Sequence, residues 1–430
     1  MRLSLRSLLF GAVVALLAVV SFWGAEPFGL WRYALLCFAG ALVFEWWQVQ
    51  NAELNLELEP KGVARLGLPV EIGVRLRGEQ ALTTRHRLIG NSAVRAPAED
   101  GALVLAPGAE PEASYMATGL ATRLGRTAFP EQWLEIDGAF GLGHWLRRVP
   151  VDAELRVAPA RLSDRVGTPG SVELGLRSRP RVGQGSEIFA LRDQRPDDPA
   201  TRIDWKATAR RGRPVIRETE TEEQLELVFV LDAGLGAGVV QGSLTRFGHA
   251  ANVAARLAEF AELQGDRCGL LIYADRVLAR VPVGRGRRQV ERIRGALAAA
   301  DARPHESNPL GAMLEVRSMV RHRALVVVFA DLDDADSAGQ LVEATRLLRP
   351  VHLPLIAALR DEESEAIARA RPAGWRDPWF ALASEELDRV AETTRLRLQR
   401  LGAQVVYTHA NELDGALRRR YARLRRERKV

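Results

Sequence analysis

Two aspartates stand at positions where side chains could do chemistry. Asp232 and Asp331 each end an almost continuous apolar run of eight residues, the pattern of a buried strand. Since the carboxyl ends of parallel strands meet at one edge of a sheet, both carboxylates are expected there. Carboxylate and hydroxyl oxygens suit Mg²⁺, and Ser307 or Asn308 could supply a third ligand. The loop 233–238 adds no side-chain oxygen, so the sequence predicts an incomplete metal site.

The positions of the lysines exclude two large classes of nucleotide-dependent enzyme, the P-loop proteins and the protein kinases. The chain has only Lys61, Lys206 and Lys429, and none follows a glycine, so a Walker A loop is absent. The Val-Ala-Ile-Lys strand of protein kinases is absent too. The glycines of 234–238 do not complete a dinucleotide fingerprint, because position 239 is valine. We therefore predict a protein that is not an enzyme and binds no nucleotide cofactor.

One enzymatic alternative is a metal-dependent hydrolase that uses the two strand-end aspartates. It lacks a nucleophile with an adjacent base, because no histidine stands beside a strand-end serine or cysteine in the sequence. The two cysteines, Cys37 and Cys268, are isolated in apolar runs and predict neither a disulfide nor a zinc site. The hydrolase therefore ranks second to a binding function.

The first 49 residues predict a transmembrane helical hairpin. Residues 7–25 carry no charge over 19 positions, and a second apolar run covers 28–47. Four of the nine tryptophans flank these runs, as in an aromatic belt. A cleaved signal peptide followed by a buried helix is the alternative, but no small-residue cleavage site follows the first run. The basic amino terminus predicts a multi-pass protein of the inner (cytoplasmic) membrane, in contact with lipid, with its soluble domains facing the cytoplasm.

Three further segments follow the hairpin. Residues 50–158 alternate with period two between turn signals and predict a small β-sandwich. Residues 159–222 form a connecting segment dense in charge. Residues 223–430 alternate apolar strands with helices, which predicts a doubly wound α/β domain with a parallel sheet. With 430 residues and 47% hydrophobic composition, a multidomain chain is expected.

The connecting segment allows two interpretations. It could be a surface loop held by exposed ion pairs, each worth about 0–1 kcal/mol. Alternatively, it could be an ordered network that clamps neighbouring domains or presents a docking surface. A tryptophan among charges usually anchors a contact, and this favours the second interpretation. Its predicted members are Arg192, Asp198, Arg202, Asp204, Trp205, Lys206 and Arg210.

The carboxy-terminal run 418–429 contains eight basic residues. It follows an apolar stripe at helical spacing, so it predicts either a last helix docked on the sheet or a contact with anionic headgroups. Nucleic acid is not an expected partner, because no aromatic platform accompanies the arginines.

The chain resembles the bacterial domain of unknown function 58 family. The specific match is Arg202-Ile-Asp-Trp-Lys206 followed by Ala209 and Arg210, preceded by Leu191-Arg192. The run Gly138-Ala-Phe-Gly-Leu-Gly143 is similar to the element that closes the family's β domain. Gln194 and Asp197 depart from the family pattern, which has an aromatic residue and a glycine there.

The resemblance implies a von Willebrand factor A-like fold for the last domain, an amino-terminal membrane anchor and a MoxR-type AAA+ ATPase as partner. It also implies a metal-ion-dependent adhesion site at Asp232, Ser307 and Asp331. The two serines expected after the first aspartate are Gly234 and Gly236 here, so that site is degenerate. The sequence therefore predicts a membrane-anchored interaction module of that ATPase.

Overall fold

The structure is a computed structural model, and the chain divides into two compact units. The first comprises 1–160, 242–248 and 297–301, and the second comprises 161–241, 249–296 and 302–430. The structure describes residues 2–22, 30–78, 83–96, 101–104, 112–164, 182–195, 198, 201, 203–220 and 224–427.

The first unit begins with two helices, α1 (Leu5–Phe22) and α2 (Leu30–Asn51). Among the described residues, no helix has both the length and the apolar composition needed to cross a membrane. The prediction of a transmembrane hairpin over 1–49 is therefore wrong, and so is the multi-pass inner-membrane localisation derived from it. Arg32 and Glu45 both lie inside α2, and Glu45 has a role in the fold that its position near the end of an apolar run concealed.

The carboxylate of Glu45 is completely buried against the loop 138–143. It accepts hydrogen bonds from the backbone N–H groups of Phe140 (2.9 Å), Leu142 (3.1 Å) and Gly143 (3.1 Å). A Cβ at Gly138 would overlap this carboxylate, and Gly141 has a φ of 66°, so the loop needs glycine at both positions. The family-like run at 138–143 thus forms a cradle that fixes α2 to the sheet strands.

The rest of this unit is built from short strands arranged in three sheets. Their orders are β1-β11-β10-β5-β7, β2-β4-β8-β6 and β3-β12-β9. Side chains alternate between buried and exposed along the longer strands, because successive residues point to opposite faces. The bounds are β1 (Arg2–Leu3), β2 (Leu54–Pro60), β3 (Ala64–Arg65), β4 (Pro69–Gly78), β5 (Thr83–His86), β6 (Val94–Arg95), β7 (Gly101–Val104), β8 (Glu112–Ala121), β9 (Gly125–Ala128), β10 (Gln132–Asp137), β11 (Gly143–Val149) and β12 (Glu154–Ala158).

The second unit opens with the connecting segment, which is more regular than its sequence suggests. Strands β13 (Val182–Asp193) and β14 (Val215–Glu220) pair antiparallel. The helix α3 (Trp205–Arg211) lies between them in the chain. A backbone bridge joins Ile203 to Ile216, so the start of α3 is tied to β14.

A six-stranded sheet forms the centre of the second unit, in the order β19-β18-β15-β20-β21-β22. All neighbouring pairs are parallel except β18 with β19. The chain as a whole is therefore mixed α/β with several sheets. The bounds of its strands are β15 (Glu226–Asp232), β18 (Arg267–Tyr273), β19 (Val277–Gly284), β20 (Leu325–Phe329), β21 (Leu353–Leu359) and β22 (Gln404–Thr408), and the short strands β16 (Val240–Gln241) and β17 (Leu244–Thr245) lie outside this sheet.

Seven helices accompany the strands of this sheet among the described residues. Three of them pack against the sheet in one buried cluster. Each helix contributes one of Ala312, Leu341 and Leu398, and the sheet contributes Val228 and Val328. A residue two positions along a strand returns to the same face, which is why alternate positions of β15 and β20 enter this cluster. The helices are α4 (Arg246–Leu263), α5 (Arg287–Ala299), α6 (Pro309–Met319), α7 (Ala335–Leu348), α8 (Glu362–Arg369), α9 (Asp377–Arg400) and α10 (Ala410–Glu427).

The last helix, α10, is docked through its apolar stripe, one of the two arrangements that the sequence allowed. Leu413, Leu417 and Tyr421 are buried. The Tyr421 hydroxyl donates to the carboxylate of Asp266, which also accepts from Leu225 N at 3.0 Å. Burial raises the pKa of Asp266. The basic residues up to Arg426 therefore belong to a helix whose apolar face is buried and whose Tyr421 binds the residue before β18, whereas Arg428 and Lys429 lie outside the described residues.

Candidate functional site

The strand-end site centres on the carboxylate of Asp232, the last residue of β15. Its Oδ1 accepts from the Ser307 hydroxyl at 2.6 Å and from the Gly234 N–H at 2.7 Å. Its Oδ2 lies 3.4 Å from the hydroxyl of Tyr273, which donates to it. Tyr273 ends the neighbouring strand β18 and is the register partner of Asp232. Three donors therefore converge on one carboxylate.

Burial is the largest cause of the raised pKa values of Asp232 and Tyr273. It raises the pKa of Asp232, although the hydrogen bonds from Ser307, Gly234 and Tyr273 act in the opposite direction. Burial also raises the pKa of the Tyr273 phenol, and the neighbouring Asp232 adds to that rise. Tyr273 therefore stays protonated and can only donate to Asp232 at neutral pH. The carboxylate is already satisfied by the protein itself.

Other side chains closely approach both glycines that follow Asp232. A Cβ at Gly234 would overlap the hydroxyl of Ser307, and a Cβ at Gly236 would lie 3.1 Å from Oδ2 of Asp331. Gly234 has a φ of −77°, which any residue can adopt, so the restriction is steric. The Ser307 hydroxyl thus occupies the place that a side chain at position 234 would need.

These residues do not fit a resident Mg²⁺ ion. The hydrogen of the Ser307 hydroxyl and the N–H of Gly234 are both directed at the oxygen that a cation would use. Positions 234 and 236 contribute no ligand, and the described part of the chain holds no group of three His, Cys, Asp or Glu residues placed to share a metal. A hard divalent cation needs about six oxygens, so water would have to supply most of them.

The connecting segment contains a second organised cluster. Arg192 binds Asp198 through two parallel hydrogen bonds, Nη1 to Oδ2 at 2.6 Å and Nη2 to Oδ1 at 2.7 Å. The Arg195 N–H also donates to Oδ2 of Asp198 at 2.7 Å. These donors lower the pKa of Asp198 to about 2, with the Arg192 hydrogen bond as the largest cause. Such a bidentate pair fixes orientation as well as charge.

The helix α3 is braced at both ends by its own sequence. Asp204 caps its amino end by accepting from Ala207 N at 3.0 Å, and Gly212 closes the carboxyl end with a φ of 67°. The Thr208 hydroxyl accepts from Val215 N at 3.0 Å, which fixes the helix to β14. A seven-residue helix would be marginal alone, so these bonds account for its stability.

On this braced helix, the side chain of Trp205 is 69% exposed. Lys206, Ala209 and Arg210 are exposed as well, whereas Ala207 and Thr208 are half-buried. Spacings of one, four and five residues place these four on one side of a helix. We call Trp205, Lys206, Ala209 and Arg210 the Trp205 face. Most of the indole surface of Trp205 is therefore open to solvent.

The predicted site residues fall into two groups. Asp232 and Ser307 are hydrogen-bonded, and Asp331 lies beside Gly236 in the same strand-end region. Arg192 and Asp198 are paired, while Asp204 acts as a helix cap for the Trp205 face. Arg202 lies outside the described residues. The sequence reasoning did not select Tyr273; its position at the end of the strand next to Asp232 was the available signal.

Fold and site together define a mixed α/β chain with a satisfied strand-end carboxylate and an outward-facing tryptophan on a braced helix. Residues 190–404 match the family model described as "Protein of unknown function DUF58". The match covers half of the chain and includes the Trp205 face and the whole central sheet except the last residues of β22. The chain belongs to the DUF58 family, as its motif at 202–210 predicted.

Several curated proteins are similar to this chain. Uncharacterized protein Mb1516 of Mycobacterium bovis and uncharacterized proteins MT1527 and Rv1480 of Mycobacterium tuberculosis are each 26% identical over 229 residues, covering 50% of this chain and 72% of theirs. Among solved structures, the conserved hypothetical protein BatB from Bacteroides thetaiotaomicron aligns with a TM-score of 0.31 and 12% identity, covering 47% of this chain and 99% of BatB. An uncharacterized membrane spanning protein from Vibrio fischeri aligns with a TM-score of 0.19 and 15% identity, covering 46% of this chain and 96% of that one.

Proposed function

We propose that this protein is an interaction module whose docking surface is the Trp205 face. The observation that supports it is the 69% exposure of Trp205 on a helix fixed by two caps and by the bond from Val215 to Thr208. Burying an indole on binding removes a large apolar area from water, and tryptophan is among the residues that dominate interface energies. Because α3 is already held in one conformation, it loses little conformational entropy when a partner binds.

The partner we propose is a MoxR-type AAA+ ATPase, and the proposed fold of the carboxy-terminal domain is von Willebrand factor A-like. Both rest on the resemblance to the DUF58 family. Lys206 and Arg210 are exposed on the same side of the helix as Trp205. The face therefore favours an acidic surface that has an apolar pocket for the indole. The strand-end region around Asp232 is proposed as a second part of the docking surface.

Affinity capture with the full chain tests this proposal. The bait is incubated with lysate of the native host, with and without ATP and Mg²⁺, and the captured proteins are identified by mass spectrometry. We expect an AAA+ ATPase with the unchanged chain and at least a tenfold loss with Trp205→Ala, because a buried hot-spot indole contributes roughly 2 kcal/mol or more.

The matched control is Trp47→Ala, which removes a tryptophan that is 56% exposed on α2. It should capture as much ATPase as the unchanged chain. Lys206→Glu and Arg210→Glu should weaken capture and reduce its salt dependence. Equal capture by Trp205→Ala and the unchanged chain would refute the docking surface, and capture of no AAA+ ATPase by a folded bait would refute the partner.

A further inference from the structure

The amino-terminal half of α9 carries an apolar stripe that no described residue covers. In the carboxyl half of this helix, Ala391 and Leu398 belong to the buried cluster on the central sheet. In the first half, Ser384 is the only buried residue. Trp379 is 68% exposed and Leu382 is 58% exposed. A helix normally turns its apolar side chains toward a core, so this half lacks a partner.

The exposed residues lie along one line of the helix. Trp379, Leu382, Ala383 and Glu386 are spaced i, i+3, i+4 and i+7, and all four are exposed. The buried residues Ser384, Ala391 and Leu398, spaced by seven, form a different line. We call Trp379, Leu382, Ala383 and Glu386 the α9 stripe. Its apolar part is confined to the turns that the central sheet does not cover.

Charges at the two ends of the α9 stripe have opposite sign. Arg376 precedes the helix, is exposed and lies over the Trp375 ring at 4.9 Å. Glu386 ends the stripe, and its ion pair with Arg389, three residues on, is exposed on both sides. Such an exposed pair contributes little and can be exchanged for another. Arg376 and Glu386 are ten positions apart, about 15 Å along a helix.

This arrangement is self-complementary under a two-fold axis. If two α9 helices lie antiparallel with position 381 on the axis, Arg376 of each copy faces Glu386 of the other. In the same register, Trp379 faces the small Ala383 of the other copy. A C₂ interface requires such reciprocal matching, because residue i meets j and j meets i. Large side chains then lie opposite small ones, and the opposite charges lie at both ends.

We propose that the α9 stripe is a homodimerisation surface, occupied by the α9 stripe of a second copy of this chain in antiparallel orientation. The interface forms through Trp379 and Leu382 at its centre and through two Arg376–Glu386 ion pairs at its ends. It is independent of the Trp205 face, which remains available for a partner.

Cross-linking of the full chain tests the register. The cysteine is introduced as Ala383→Cys in a Cys37→Ser background, since Cys37 is exposed and Cys268 is buried. A flexible bismaleimide should then give a covalent dimer, and the same reaction without Ala383→Cys should give none. Adding Trp379→Ala should reduce the dimer roughly tenfold, because it removes the central anchor.

Charge reversal separates this interface from any other association of the chain. Arg376→Glu alone and Glu386→Arg alone place like charges opposite each other, so each should weaken the dimer roughly tenfold. Combining both changes in one chain should restore dimerisation to within about twofold. Mixing the two single variants should give a mixed dimer, because one copy then supplies two acids and the other two bases.

The matched control is Glu385→Arg, which changes the neighbouring exposed residue on another side of the helix and should leave the dimer unchanged. Association through other apolar surfaces would be insensitive to all of these charges. A monomer at all concentrations in sedimentation, or a dimer that ignores both single reversals, would overturn the proposal.

Discussion

The hydroxyl of Ser307 donates to Oδ1 of Asp232 at 2.6 Å and lies where a Cβ at position 234 would stand. One side chain from the loop before α6 thus completes the environment of a carboxylate at the end of β15, 75 residues earlier. The same placement explains why a glycine follows Asp232 by two positions. It also defines how the site should respond to substitution and to pH.

Ser307→Ala should destabilise the second unit by about 1–3 kcal/mol at neutral pH, because a buried carboxylate loses a donor. Burial raises the pKa of Asp232 in the folded state, so folding favours its protonated form. The loss should therefore be largest above the raised pKa and shrink as the pH falls toward the ordinary value of about 3.9. Chemical unfolding at a series of pH values measures it. Ser318→Ala, at an exposed serine, is the control, and a pH-independent loss would contradict the prediction.

Gly234→Ala should also destabilise this unit, because its Cβ would displace the Ser307 hydroxyl. In the Ser307→Ala background that obstacle is gone, so the same change should cost less. The rescue should be incomplete, since the His305 carbonyl remains 3.0 Å from the added atom. A double-mutant cycle should give a coupling of roughly 1 kcal/mol. Additive effects of the two changes would mean that Ser307 is not the obstacle.

Mg²⁺ should leave the melting temperature of the protein unchanged. Binding to the folded state alone stabilises by RT ln(1 + [L]/Kd), so a site with a Kd of about 10 μM would add roughly 3.7 kcal/mol at about 5 mM Mg²⁺. The residues around Asp232 do not provide such a site, because their donors already satisfy the carboxylate. Thermal unfolding with Mg²⁺, Mn²⁺ and a chelator measures this. A shift that Asp232→Asn or Asp331→Asn abolishes would restore the metal site and the hydrolase alternative.

The carboxyl of Asp198 should titrate at a pKa of about 2, well below its ordinary value of about 3.9, because Arg192 and the Arg195 N–H bind its charged form. A lowered pKa means that the contribution to the connecting segment is present above the ordinary value and is lost as the pH falls through about 2. Side-chain carboxyl NMR reports this titration directly. Arg192→Gln should return the pKa toward its ordinary value. Arg213→Gln, which removes the exposed partner of Asp193, should leave it in place.

Glu45→Ala should release the loop 138–143 in the first unit. Three backbone N–H groups lose their acceptor, and such losses cost about 1–3 kcal/mol each at buried sites. Amide hydrogen exchange of Phe140, Leu142 and Gly143 should accelerate, whereas Glu45→Gln should retain part of the protection. Glu59→Ala, which removes an exposed partner of Arg75, provides the control. Unchanged amide hydrogen exchange in Glu45→Ala would show that the loop 138–143 keeps its conformation without this carboxylate.

Several features were predictable from local sequence. Alternating residues placed strands where β2 (Leu54–Pro60) and β4 (Pro69–Gly78) lie. The apolar runs placed Asp232 at the end of β15 and Asp331 two residues after β20. The Asp204-Trp-Lys motif identified the family. These features depend on side-chain periodicity or on a continuous motif, and both can be recognised from consecutive residues.

The transmembrane prediction over 1–49 treated Glu45 as a charge near the end of an apolar run. An isolated charge near the end of an apolar run is compatible with a headgroup location, and nothing in the run itself revealed the three amides that hold this carboxylate. Those amides come from a loop about 95 residues further along the chain. The exposed α9 stripe was missed for a related reason, because an apolar stripe at helical spacing looks the same whether or not a sheet lies beneath it.

The sequence by itself determined the alternation of strands and helices after residue 223, the family motif and the positions of Asp232 and Asp331 at or just after strand ends. Only the tertiary structure decided what those groups contact. It gave Asp232 three donors from three separate segments, placed Glu45 in a backbone cradle, and left Trp205 and Trp379 exposed. The physical reason is that periodicity is a property of neighbours in the chain, whereas burial and hydrogen bonding depend on residues that folding brings together from far apart.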